Sequence, residues 1–307
     1  MKTTFEDLCN EILINIVEYI ADSNDIYRAF ENLNHRFDLI LRHVRLQLDI
    51  FSEDKQSLTI VHYFSAHCTH LRLHHICPSI SLRQFSQLRA LTINEPTDVQ
   101  MNSIQSSILP MLEHLTSPAS MTIFDCLFSN RQKPWLYLRS CHFYFPHFPN
   151  SKLTWQPNRT LHTLSGITCS RNTLSQLLSL LPCLKHLRTE MIPNDSSMWN
   201  TNIFEKTLLS LRIGFYQLNY DDLCVLIGPF LHQLHLEILC EQASIDFTLL
   251  GTVIMTFTKE LRQFCCDYRG MNIPLDSIRT AHTMFQNIQF IQTHSYDTIS
   301  FMCQKLC

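Results

Sequence analysis

Histidine and cysteine crowd one stretch of this chain. His62, His67, Cys68, His70, His74, His75 and Cys77 lie between positions 62 and 77, and both residue types bind zinc. Structural zinc takes four ligands at short paired spacings, two from one turn and two from a second element. The spacing here fits no such finger. His70, Arg72 and His74 alternate with Leu71 and Leu73, the two-residue period of a strand with one wet face. Solvated histidines are therefore expected, and no metal site is assigned. Cys265 and Cys266 are adjacent, so on a strand they point to opposite faces. Asp221-Asp222 reads as a helix start, with carboxylates at the positive end of the dipole, and not as an acid/base pair. The chain holds 5 Gly, too few for folds that cradle phosphates on close-approaching backbone. It has no Gly-x-Ser-x-Gly elbow and no His-Glu-x-x-His pair. The expectation is a protein that is not an enzyme and takes no cofactor.

Composition narrows the partners. Net charge is −3 and the sequence pI about 6.6, against general nucleic-acid binding, which needs clustered Lys and Arg. Hydrophobic residues at 45% supply a sizeable core, and charged residues at 17% leave much of the surface to neutral polar side chains. No apolar run reaches the ~18 residues that a membrane-spanning helix needs, so no membrane partner is expected. Met1-Lys2-Thr3-Thr4 leads into an acidic amphipathic stretch and not into a signal-type apolar core. The 13 cysteines are odd in number and irregular in spacing, which reads as reduced thiols acting as small hydrophobes. A cytoplasmic or nuclear setting follows as the expectation.

Two kinds of element must position any binding residues. The first 46 residues read as three short helices. Ile12, Leu13, Ile16, Val17 and Ile20 share one broad face. Ala21 to Asn24 break the pattern, and Ile26, Ala29, Phe30 and Leu33 resume it. Phe37, Ile40, Leu41 and Val44 give a third stripe. So many apolar residues exceed what one small core could hide, which suggests a docking module.

Leu8, Glu11-Ile12-Leu13, Ile16, Tyr19-Ile20, Asp25-Ile26 and Phe37 together resemble the F-box. Cys9 stands where that family has Pro, and Phe37 stands near its Trp. The resemblance covers roughly residues 5–46. It implies docking on a Skp-family adaptor, and through it on a cullin, by way of Leu8, Cys9, Ile12, Ile16, Tyr19, Ile26 and Phe37.

Beyond residue 50 a phrase recurs: an apolar residue, two variable residues, then Leu, often followed by one more alternation. It appears at Leu88–Leu91, Leu112–Leu115, Leu161–Leu164, Leu184–Leu187, Leu208–Leu211 and Leu231–Leu234. Leu261–Phe264 and Ile288–Ile291 are decayed copies, and Leu71-Arg72-Leu73 and Leu136-Tyr137-Leu138 partial ones. Most neighbouring starts are roughly 23–30 residues apart, at or just beyond the leucine-rich repeat period. Helical stretches lie between, as at Met101–Leu109, Asn172–Leu181 and Tyr220–Ile227, several stopped by Pro or Gly. Residues 55–307 thus resemble a degenerate leucine-rich repeat domain, irregular over 116–160. A non-repetitive α/β domain rich in leucine is the alternative.

The expected architecture is α/β: a three-helix F-box-like module over 1–46, then a curved, leucine-rich-repeat-like solenoid of horseshoe form over 55–307, with one parallel sheet. The resemblance implies a substrate-recognition subunit of an SCF-type cullin–RING ubiquitin ligase, whose repeats hold an unknown protein substrate. The alternative is a leucine-rich repeat interaction scaffold whose N-terminal helices only cap the solenoid. Arg89, His114, His162, His186, Arg212 and His235 occupy variable positions in or beside the phrase. They are the candidates for substrate contact.

Overall fold

The computed structural model describes residues 5–19, 23–30, 33–41, 44–128, 133–144, 155–192, 198–199, 207–239, 245–269, 275–291 and 298–304. Ile20, Ala21, Asp22 and the C-terminal Cys307 fall outside these. The chain is mixed α/β and divides into two compact units, Met1–Cys141 and His142–Cys307.

The first unit opens with a 3-10 turn, Phe5–Asp7, and helices α1 (Asn10–Tyr19), α2 (Ser23–Phe30) and α3 (His35–Leu41). Leu13, Val17, Ile26, Phe30, Phe37 and Ile40 form their core. The rings of Phe5, Phe30 and Phe37 stack at 5.3–6.1 Å between centroids. The Arg36 guanidinium ties the start of α1 to α3, donating to the Leu8 carbonyl and, at 3.0 Å, to Asn10 Oδ1. Val44 lies beyond α3 and is buried.

Strand β1 (Leu46–Ile50) then starts a parallel series with β2 (Cys68–Leu73), β3 (Ala90–Ile93) and β4 (His114–Pro118). The repeated phrase does not reveal β1, which precedes its first copy. Between the strands run α4 (Lys55–Phe64), α5 (Asp98–Ser103) and α6 (Met121–Phe128). The α5 helix comes earlier than the expected Met101–Leu109. Its start is fixed by a capping box in which Thr97 and Gln100 bond reciprocally. The helices α2 and α3 rest on α4: Tyr27 meets the rings of Tyr63 and Phe64 edge-on, and Tyr63 donates to Asp38 at 3.0 Å.

The chain passes from the first unit to the second within β5 (Ser140–Tyr144). The copy of the phrase here is Leu138-Arg139-Ser140-Cys141, two residues later than Leu136–Leu138. Leu138, Cys141 and Phe143 are buried, whereas Leu136 is exposed.

In the second unit β6 (Thr163–Cys169), β7 (His186–Met191), β8 (Ser210–Phe215), β9 (Gln233–Ile238) and β10 (Gln263–Arg269) pair in parallel, in chain order. The helices α7 (Arg171–Leu180), α8 (Tyr220–Leu226), α9 (Phe247–Phe257) and α10 (Leu275–Ala281) lie between or after them. Ser170, Asn219 and Asp246 cap α7, α8 and α9, each side chain accepting from a first-turn N–H. The buried faces align in register: Leu164, Leu187, Leu211, Leu234 and Phe264 face one another across five strands. β6 keeps phase through a bulge at Gly166, which sits at φ 74° with the Phe143 carbonyl against its Cα. The expectation of one parallel sheet fails at the end. β12 (Thr298–Gln304) runs antiparallel to β10 over seven residue pairs, and the short β11 (Gln289–Ile291) pairs with β12.

A backbone feature repeats along the second unit. The residue just before each strand donates its N–H to the carbonyl of its counterpart one strand earlier: Lys185 to His162, Leu209 to Lys185, His232 to Leu209 and Arg262 to His232, all at 2.8–2.9 Å. The next N–H shares the same carbonyl, as His186 does with His162. The first unit repeats the arrangement from Thr69 to Arg89, Glu113 and Arg139 at 2.7–2.8 Å.

Candidate functional site

Helix α1 is apolar on two sides. Leu13 and Val17 are fully buried, while Ile12 is 45% and Tyr19 90% exposed, with Ile16 half-buried between them. Ile12, Ile16 and Tyr19 follow at i, i+4 and i+7, so they share a face. Leu8 is half-buried and Cys9 exposed beside the helix start. Phe5, Leu33 and Leu39 add exposed apolar surface to the same three-helix region. Ile26 and Phe37, of the same candidate set, are buried at 2% and 0% exposure. They hold the helices together and are not on the accessible face. The geometry separates five residues able to touch a partner from two that position them.

The substrate-contact candidates fall into different rows. In the first unit, Arg89 precedes β3 and pairs with Glu113 at 3.2 Å. His114 opens β4 and is exposed. Burial holds the pKa of neighbouring His70 below its usual value, and the nearby His114 and Arg89 lower it further, outweighing the opposing pull of Glu113. In the second unit, His162 precedes β6, His186 opens β7, and Arg212 and His235 stand third in β8 and β9, opposite each other. Arg212 binds Glu237, and His235 Nε2 lies 2.7 Å from Asp267 Oδ2. Burial works to raise the pKa of Asp267, but the contacts with His235 and Ser300 and the nearby Arg212 charge together outweigh it and lower the pKa. The outward side of β7–β10 therefore carries a row Arg188, Arg212, His235, Cys265 beside a row Glu190, Gly214, Glu237, Asp267. Opposite charges on adjacent strands largely satisfy one another there. The candidates do not converge on one point.

Among the described residues, the group of three donors close enough for a cation is His235, Glu237 and Asp267, with ligand atoms within 4.8 Å of one another. Arg212 already holds Glu237 and His235 already holds Asp267, so these four side chains satisfy themselves without an ion. The His/Cys stretch 62–77 disperses instead. Cys68 and Cys77 are buried, His62 and His70 face solvent, and His74 stacks on Phe51 at 4.1 Å. Burial pushes the Cys68 thiol up to about 12. Cys265 lies outward and Cys266 is buried, as adjacent strand residues must.

Asp222, in the first turn of α8, is buried and takes two bonds from Arg171 at 2.7 and 3.0 Å and one from Trp199 Nε1 at 2.7 Å. It joins the starts of α7 and α8 beneath a 530 Å³ hollow lined in part by Met191, Phe215, Tyr216 and Leu249. A second hollow of 490 Å³ opens where β8, β9 and β10 begin, with His186, Ser210, His232, Gln233, Arg262 and Gln263 around it. The candidate list includes one of these, His186. The first variable position of the phrase holds the signal for this edge: His162, Lys185, Leu209, His232 and Arg262 occupy it in successive copies. Compared with models of known families and with curated protein sequences, the chain matches none.

Proposed function

We propose that this chain is the substrate-recognition subunit of an SCF-type cullin–RING ubiquitin ligase. Helices α1–α3 dock a Skp-family adaptor, and the strand-and-helix units stack as a leucine-rich-repeat solenoid that holds the protein to be modified. The observation that carries the reading is the two-sided helix α1. Leu13 and Val17 fill the core while Ile12, Ile16 and Tyr19 stay accessible. Grouped apolar surface of this kind marks interaction sites, and covering it yields about 25 cal/mol per Å². The residues concerned are among those that carry the F-box resemblance. The phrase-to-strand correspondence supports the repeat reading, since units that cannot bury their own apolar side are stable when stacked. The role is to raise the local concentration of substrate near the ligase, with no chemistry by this chain. Buried, unpaired cysteines such as Cys68, Cys141 and Cys266 fit a reducing cytoplasmic or nuclear setting. No helix among the described residues is long and apolar enough to cross a membrane.

A second reading, an interaction scaffold whose helices α1–α3 only cap the array, is favoured by the packing of Tyr27 on Tyr63 and Phe64. End units of such arrays need covers. The two readings part at the exposed face. Full-length chain carrying Ile12→Asp with Tyr19→Asp should keep its circular dichroism, because both side chains are accessible, and should lose co-purification with a Skp-family adaptor at least tenfold. Adaptor capture at the parent level by that variant, or none by the parent, would leave the capping reading in place.

A further inference from the structure

The turns before the strands of the second unit carry a line of basic residues. The backbone bonds between successive turns place His162, Lys185, Leu209, His232 and Arg262 in one column. Four of the five are basic and none is acidic. Lys185 and Arg262 are exposed, and neither has an ion-pair partner among the described residues. The outward cations Arg212 and His235, by contrast, are matched by Glu237 and Asp267. The carboxylate of Glu260 meets the column at His232, 2.9 Å from its Nε2. The 490 Å³ hollow lies along this column, and Ser210, Gln233 and Gln263 give it neutral polar walls.

We propose that this edge of the second unit binds an extended acidic segment of the partner protein, with carboxylates four residues apart seated on Lys185 and Arg262. The spacing follows from the ladder. Lys185 and Arg262 are three strand steps apart, about 14 Å at ~4.8 Å per step. Four residues of extended chain span about 13 Å, and side chains an even number apart point the same way. Two unmatched cations at that separation complement two carboxylates, and the polar walls offer hydrogen bonds to the backbone between them. This rests on the reading of the repeat region as the substrate-holding part, and it names the class of substrate segment held.

The test uses the full-length chain and labelled, Ser/Thr-rich peptides, read by fluorescence polarisation at low and physiological salt. One peptide has two Glu residues four apart, one has them two apart, and one has Gln at both places. The four-apart peptide should bind at least fivefold tighter than either other. Lys185→Gln with Arg262→Gln should erase that preference, while the same charge loss at Lys55→Gln with Arg83→Gln should not. Equal binding of the three peptides, or an acid preference that survives Lys185→Gln with Arg262→Gln, overturns the proposal. Tighter capture of a single-stranded oligonucleotide than of any peptide does the same. Adaptor capture is read on α1, so failure here leaves the ligase reading standing, and failure there leaves this site standing.

Discussion

The helices α1–α3 and the β6–β10 series solve the placement of side chains in opposite ways. In the helices, side chains do the organising. Three phenylalanine rings and one arginine hold the short segments together, and neighbours in sequence meet opposite fates, Leu13 buried and Ile12 exposed. In the strand series the backbone does it. Turn-to-turn bonds and parallel pairing fix which row a residue occupies, whatever its type. A helical docking face is therefore specified residue by residue. An outward strand row can change its chemistry without loss of fold.

Adjacent substitutions in α1 put the largest strain on this contrast. Leu13→Asp places a carboxylate in a fully apolar core and should cost more than about 4 kcal/mol. Ile12→Asp should stay within about 1 kcal/mol. Urea melts followed by circular dichroism check both, and similar losses would mean that α1 does not present the two sides described. Next comes the charge contrast in the second unit. Asp222→Ala removes the buried carboxylate that Arg171 and Trp199 both bond and should cost about 3 to 5 kcal/mol. Arg212→Met removes a more exposed pair, with side chains 38% and 15% accessible, and should cost less, about 1 to 2 kcal/mol. Thermal denaturation ranks the two.

A smaller effect probes a place where the strand ladder depends on a residue type. A Cβ at Gly166 would lie 1.7 Å from the Phe143 carbonyl oxygen, at a φ that side chains disfavour. Gly166→Ala should cost about 2 to 3 kcal/mol. At Gly214 the nearest obstacle is the movable Glu190 side chain at 3.0 Å, and Gly214→Ala should cost about 1 kcal/mol or less. Equal losses would show that the bulge is not what keeps β6 in register.

The smallest effect is on pH. Burial lowers the pKa of His70, His142 and His186, assisted by His114, Arg188 and Lys185 respectively. A histidine held low in the folded state takes up protons more readily when unfolded. The stability it contributes is therefore present above the unfolded pKa of about 6.5 and is lost as pH falls through it towards the folded value. Melting temperature should decline from pH 7.5 to pH 5.5, and His186→Gln should flatten part of that decline. A rise on acidification would contradict the direction assigned to these groups.

The phrase Leu-x-x-Leu located β3, β4 and β6–β10 because each leucine pair is a burial demand that the strand period satisfies. It did not reveal β1, where Leu46, Leu48 and Ile50 alternate before the first copy. At β5 it points two residues early, because Cys141 takes the place of leucine and the exposed Leu136 imitates it. The start of α5 was legible in Thr97 and Gln100, a capping signal that apolar spacing passes over. The antiparallel β12 carries no phrase. The candidate residues were legible as polar positions but not as rows, since the row depends on whether a residue precedes, opens or follows the first buried leucine. The pairing of Arg212 with Glu237 joins residues on different strands, which no single phrase contains.

The antiparallel β12 gives the array a stop. A series of parallel units offers its last strand as a template, and a further copy, from the same chain or another, could add to it. Here β10 is paired along seven positions by a strand of reversed direction, so its own edge is closed to a further parallel unit. Among the described residues the strand at the margin is β11, which runs in the same direction as β10 but is three residues long, and short edges are poor seeds for joining chains. The second unit thereby limits its own growth at this margin, and a chain truncated before Thr298, which bares the full length of β10, should self-associate more than the intact one.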